Sequence, residues 1–110
     1  QLPPPQPGQR TVAVLGMLAD KDIDGVVGAC LGRVDAWHVA SLHVPRGAMS
    51  DRLATALRVQ GCHVAGQHES VAAALMVARQ QARPADRIIV FGSFYTVAAA
   101  QQALSTEWSE

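Results

Sequence analysis

Thr11-Val12-Ala13-Val14-Leu15-Gly16 (residues 11–16) reads as a strand buried on both faces: five apolar or β-branched residues in a row, without polar alternation, stopped by a glycine. A strand of that kind needs a helix over each face, so the surrounding chain should alternate strands with helices.

It does. Downstream, Ile23, Val26, Val27, Cys30 and Leu31 recur at helical spacing, the stripe of a core-facing helix. Asp20 or Asp22 can cap its start, and Gly32 suits its exit. Ala36–Leu42 reads as a second strand, halted by Pro45. Ser50 is placed to cap a helix carrying Leu53, Ala56, Leu57 and Gln60, closed by Gly61. Cys62–Ala65 is a short third strand, and Val71, Leu75 and Ala78 mark a helix running to about Ala82, ahead of Pro84. Ile88–Phe91 is a fourth strand, expected fully buried, and a last helix covers Thr96 to Leu104. Four βα repeats with short links predict an α/β fold with a parallel sheet between helices; no Asn-Gly hairpin signal argues for antiparallel pairing. Residues 1–9, with three consecutive prolines, read as a loop or linker, residues 10–104 as the α/β domain, and residues 105–110 as a frayed tail.

Composition narrows the function classes. Nine basic and nine acidic residues cancel, and no basic cluster occurs, so nothing draws the chain to nucleic acid or an anionic membrane surface. No apolar run is long enough for a membrane span, no signal-peptide pattern opens the chain, and a cytoplasmic location is the default expectation. Cys30 and Cys62 have no metal-knuckle spacing and read as buried thiols. His38/His43 and His63/His68 are each five apart, which puts the members of a pair on opposite faces of a strand; no metal site follows.

In a parallel sheet, ligands gather at the carboxyl ends of the strands, where helix N-termini offer amide donors. Four loops fall there: Gly16 to Asp22, Val44 to Ser50, Gly66 to Ser70 and Gly92 to Tyr95. The first sets Lys21, the only lysine, between Asp20 and Asp22. Its ammonium offers a point charge to an anionic group; the same pattern also fits a solvated, capped helix start. Without a second glycine and a Ser/Thr after the lysine, it is not a phosphate-binding P-loop. The last loop follows Gly92 with Ser93, whose hydroxyl sits where a helix begins: a seat for a carboxylate or phosphate, or an ordinary N-cap. Tyr95 lines the crevice or packs beside it, and Arg46 faces the same crevice or is a solvated loop arginine.

Taken together, VAVLGMLADKDIDGVV (residues 12–27) and, about seventy residues on, IIVFGSFYTVAAAQ (residues 88–101) resemble the C-terminal domain of bacterial bifunctional dihydrofolate synthase/folylpolyglutamate synthases, which are Mur ligase-like. The resemblance covers about residues 10–104. It implies a three-layer, Rossmann-like sandwich with a mostly parallel sheet. It also implies a parent that uses ATP and magnesium to phosphorylate the carboxylate of dihydropteroate or a folate, after which L-glutamate attacks the acyl phosphate to form an amide. The family's N-terminal ATPase domain carries the P-loop, the magnesium ligands and most of the pterin site, and is the partner implied for this chain. The Gly-Ser motif of the family is associated with glutamate, which Gly92-Ser93-Phe94-Tyr95 matches. Its Asp-Lys-Asp segment faces the interdomain cleft, which Asp20-Lys21-Asp22 matches. The site residues implied are therefore Ser93, Lys21, Asp20, Asp22 and Tyr95.

One departure stands out. The family's domain opens with a strand and helix bearing an Asp-x-Ala-His-Asn-Pro motif that this sequence lacks, so a first strand and helix are expected to be missing. Without them and without a P-loop, the chain is expected to have no ligase activity alone. The equivalent domain of a cell-wall Mur ligase and a stand-alone flavodoxin-like module are the competing readings; the Gly-Ser-Phe-Tyr ending weighs against the former. A receiver-type signalling domain does not fit, because its acidic pair is absent from the end of the first strand. A sheet short of one strand leaves an edge or apolar surface uncovered. Self-association or a low melting temperature should follow, and a monodisperse, highly stable monomer in light scattering and thermal melts would contradict it.

Overall fold

The computed structural model describes the backbone of residues 6–108 and side chains through residue 105; most of the proline run lies outside the described residues. The elements are β1 (Thr11–Leu15), α1 (Ile23–Ala29), β2 (Ala36–Ala40), α2 (Ser50–Val59), β3 (Val64–His68), α3 (Val71–Gln81), β4 (Arg87–Phe91) and α4 (Phe94–Trp108). All strand pairs are parallel, in the order β3-β2-β1-β4.

Successive residues of β1 point to opposite layers, which is why none of them is polar and exposed. Ala13 and Leu15 join Trp37, Val39, Leu53 and Leu57 beneath α1 and α2. Val12 and Val14 join Ala40, Val71, Leu75, Ala78 and Ala100 beneath α3 and α4. The result is a three-layer α/β/α sandwich, as expected. The chain winds outward from β1 to β3 on one face, then crosses back through α3 on the other to place β4 beside β1.

Several local expectations shift. β4 is half-buried along its whole length rather than fully buried, because it is an edge strand. β3 begins two residues later than expected: the Cys62 amide instead closes α2 on the Leu57 carbonyl, and the ladder continues through Gly66 and Gln67 to His68. Ser50 is not the cap of α2. Met49 holds that position, and the Ser50 amide donates to the Ser41 hydroxyl at 2.7 Å, so the cap comes from the end of β2. β2 ends at Ala40 rather than Leu42, with the Ser41 amide making a last bond to the His68 carbonyl. Asp22, of the two candidates, caps α1 by accepting from the Gly25 amide. Leu31, assigned to the α1 stripe, lies beyond the helix end and is exposed. Residues 105–108, read as tail, continue α4.

The parallel register also creates a contact that sequence spacing hides. His38 on β2 and His68 on β3 meet with Nδ1 and Nε2 3.0 Å apart. A bulge between Trp37 and His38 sets this register. Burial holds both imidazoles below their ordinary pKa, His38 further influenced by the neighbouring His68 and His63. One ring donates and the other accepts, so the pair is bonded when neutral. Lowered folded-state values mean that the unfolded chain takes up protons first on acidification. The contribution of the pair is complete above the ordinary histidine pKa of about 6.5 and is lost as pH falls below it. Melting temperature should therefore drop from pH 7.5 to 5.5, and the slope should flatten in His68→Gln; an equal slope in both proteins would discount the pair.

Candidate functional site

Because helices cover β1 on one side by α1 and β4 on the other by α4, the two strands part company at their carboxyl ends. Open α/β sheets bind ligands in such a crevice, where the winding direction reverses. Both loops singled out in the sequence leave from it.

Their bases touch. Gly92 follows β4 with φ of +123°, and a Cβ there would lie 2.2 Å from the Gly16 carbonyl oxygen, so only glycine permits the approach. Ser93 N-caps α4: its Oγ accepts from the Thr96 amide at 3.1 Å, and its carbonyl accepts from Val97. Thr96, fully buried, donates its hydroxyl to the Gly16 carbonyl at 2.7 Å. With the Thr96 proton spent there, the 2.9 Å contact between the two hydroxyls requires Ser93 to donate. The Phe94 and Tyr95 amides open the helix with no carbonyl behind them, leaving two donors at the positive end of a 15-residue helix. Tyr95 is half-exposed, edge-on to an almost fully exposed Phe94.

The first loop is tied to the second. Leu18 bridges Gly47 in antiparallel fashion, the Ala19 amide donates to the Arg46 carbonyl, and the Ala48 amide donates to the Met17 carbonyl. Val44-Pro45-Arg46-Gly47 is a tight turn closed by the Gly47 amide on the Val44 carbonyl, with proline second and a positive φ third. Arg46 takes that third position at φ of +64°, a conformation that costs a non-glycine residue roughly 1 kcal/mol. A Cβ on Gly47 would run into the Leu42 carbonyl.

The predicted site residues divide accordingly. Asp20 pairs with Arg46 at 2.8 Å, and Asp22 is committed to capping α1. Lys21 is exposed between them, and its ammonium has no ion pair or hydrogen bond among the described residues. Ser93 and Tyr95 lie on the first turn of α4, on the same edge of the sheet. Sequence reading left Arg46 undecided and missed Thr96, whose only signal was a second hydroxyl three residues after Ser93. Cys30 and Cys62 are free thiols, their pKa pushed up by burial. Among the described residues no group of three or more His, Cys, Asp or Glu side chains could hold a metal ion, and no helix is long and apolar enough to cross a membrane.

Residues 2–94 match the family model for the Mur ligase, glutamate ligase domain. The chain belongs to that family. This glutamate ligase domain is 37% identical over 100 residues to the dihydrofolate synthase/folylpolyglutamate synthase of Escherichia coli, covering 91% of this chain and 22% of that protein. It is also 37% identical over 90 residues to the Haemophilus influenzae protein of the same name, covering 81% of this chain and 21% of that one. The chain thus spans about a fifth of the length of the curated relatives it matches. In structure it resembles E. coli FolC in complex with DHPP and ADP, at a TM-score of 0.82 and 37% identity over 91% of this chain and 23% of that one. It also resembles the bifunctional folylpolyglutamate synthase/dihydrofolate synthase with Mn, AMPPNP and L-glutamate bound, at a TM-score of 0.77 and 41% identity over 87% of this chain and 22% of that one. Family membership replaces the free-standing flavodoxin-like reading.

Thr96→Val keeps the shape of the buried side chain but removes its bond to Gly16, and should cost the glutamate ligase domain about 1–2 kcal/mol in denaturant unfolding. Gly92→Ala should cost more, about 2–4 kcal/mol, since it adds strain to a clash with backbone. A Gly92→Ala protein as stable as the parent would mean that the two loop bases do not meet.

Proposed function

We propose that this domain handles L-glutamate for an ATP-dependent ligase that joins glutamate to dihydropteroate or a folate, and that it works only together with the remainder of a longer polypeptide. The observation that carries the reading is the meeting of the Gly16–Asp22 loop with the Gly92–Thr96 turn at the crevice between β1 and β4. Likeness to proteins named for this reaction supports it, as does likeness to a structure with L-glutamate bound.

In this reading a glutamate carboxylate lies over the first turn of α4, accepting from the Phe94 and Tyr95 amides. The Ser93 hydroxyl turns from Thr96 to donate to it, and the Tyr95 ring borders the pocket. Lys21 supplies the opposing positive charge, held out between two aspartates that are already engaged. The glutamate amine, so oriented, attacks the acyl phosphate formed on the other substrate; the C–N bond forms, phosphate leaves with the C–O electron pair, and the amine gives up a proton. ATP and magnesium serve to make that acyl phosphate. Metal and nucleotide binding are assigned, in this reading, mainly to the N-terminal ATPase domain of the parent. A cytoplasmic location belongs to the same reading, as does the sequence division into a linker at residues 1–9 and a domain from residue 10. Self-association of the chain when separated from its parent remains part of the same proposal, to be read from its light scattering.

The deciding measurement is ATP- and glutamate-dependent phosphate release with dihydropteroate. The 110-residue chain should release none. In the full-length parent, Ser93→Ala and Lys21→Ala should each raise the glutamate KM by about tenfold or more, the worth of a charge-assisted hydrogen bond, with a smaller change in kcat. Unchanged kinetics would reduce Ser93 to a helix cap and Lys21 to a surface charge.

A further inference from the structure

We propose that Arg46 is a positioning residue, a two-point clamp that holds the Leu18–Asp22 loop and so sets where Lys21 stands at the carboxyl edge of the sheet. The proposal rests on the glutamate reading for its kinetic consequence and on geometry alone for its structural one.

Arg46 grips the loop twice. Its carbonyl accepts from the Ala19 amide at 2.6 Å, and its Nη1 donates to Asp20 Oδ2 at 2.8 Å. The backbone contact would survive any side chain; the second needs a long cation. Yet the third position of this turn is where glycine is cheapest, and Arg46 is the only non-glycine residue with positive φ among the described residues. Stability does not account for the choice. The Arg46 side chain is 71% and the Asp20 side chain 45% exposed, and an ion pair that open to solvent contributes little to folding. What the pair does accomplish is local. It fixes Asp20 and neutralises the carboxylate beside Lys21, while Asp22 on the other side is fixed by its cap. The lysine is thereby held on a short, doubly anchored segment, and the charge it presents is not cancelled by Asp20.

The test uses three readouts and four variants. In the 110-residue chain, amide order parameters at Asp20 and Lys21 should fall from about 0.85 to below about 0.6 in Arg46→Gly, while Ala19 stays ordered through its backbone bond and the melting temperature holds or rises because turn strain is relieved. Arg46→Lys should restore most of the order. In the full-length parent, Arg46→Gly and Asp20→Ala should each raise the glutamate KM by about tenfold, and the double variant should be no worse than either alone, since both break one contact. Order parameters unchanged in Arg46→Gly would overturn the clamp. A loosened loop with an unaltered glutamate KM would overturn its positioning role. A wild-type parent without glutamate-dependent activity sinks the ligase reading instead, and the order parameters then decide the clamp by themselves.

Discussion

The bond from the Thr96 hydroxyl to the Gly16 carbonyl is the fastening on which the functional edge of this domain depends. β1 and β4 are neighbours, but their exits must separate to reach helices on opposite faces. Backbone can come together between them only where side chains are absent, at Gly16 and Gly92. A carbonyl exposed in that gap would be left without a partner in a site nearly closed to water. Thr96 supplies one from the first turn of α4, and in doing so fixes the angle at which the helix meets the sheet. The donors at the start of α4 are aimed by the same contact.

Charge in the first loop follows a similar economy. Three ionised residues stand in a row, two of them committed. Asp22 closes its own helix, and Asp20 answers an arginine brought by a different loop. Lys21, of the three, makes no ion pair or hydrogen bond among the described residues. In this run of alternating charges the two carboxylates are therefore held by partners within the domain, while the ammonium between them is left exposed.

The fold was largely legible because its main signals are local. The unbroken apolar run of β1, the helical stripes at Val71, Leu75 and Ala78, and the glycines after the strands each depend on neighbours within one turn or one strand. What could not be read was set by pairing. Nothing in Ile88–Phe91 says that it lies at an edge, so its burial was overestimated; nothing in Ser50 says that Ser41 has already satisfied its amide. The histidine pair exists only because β2 and β3 pair with a bulge, and Arg46 finds Asp20 only because two loops are bridged. The loops bearing Lys21 and Ser93 were visible through strand order and motif; that they share one seam required Thr96, a residue with no motif of its own.

That seam also bears on how the domain assembles. Thr96 and Gly16 are 80 residues apart, and the bond between Arg87 and Thr11 at the other end of the same strand pair spans 76. The β1–β2 and β2–β3 pairings close much shorter loops. Chain entropy opposes the long closure most strongly, and its contacts return nothing until it is nearly complete. The crevice is thus built on the least local contacts of the sheet: β1, β2 and β3 can pair without it.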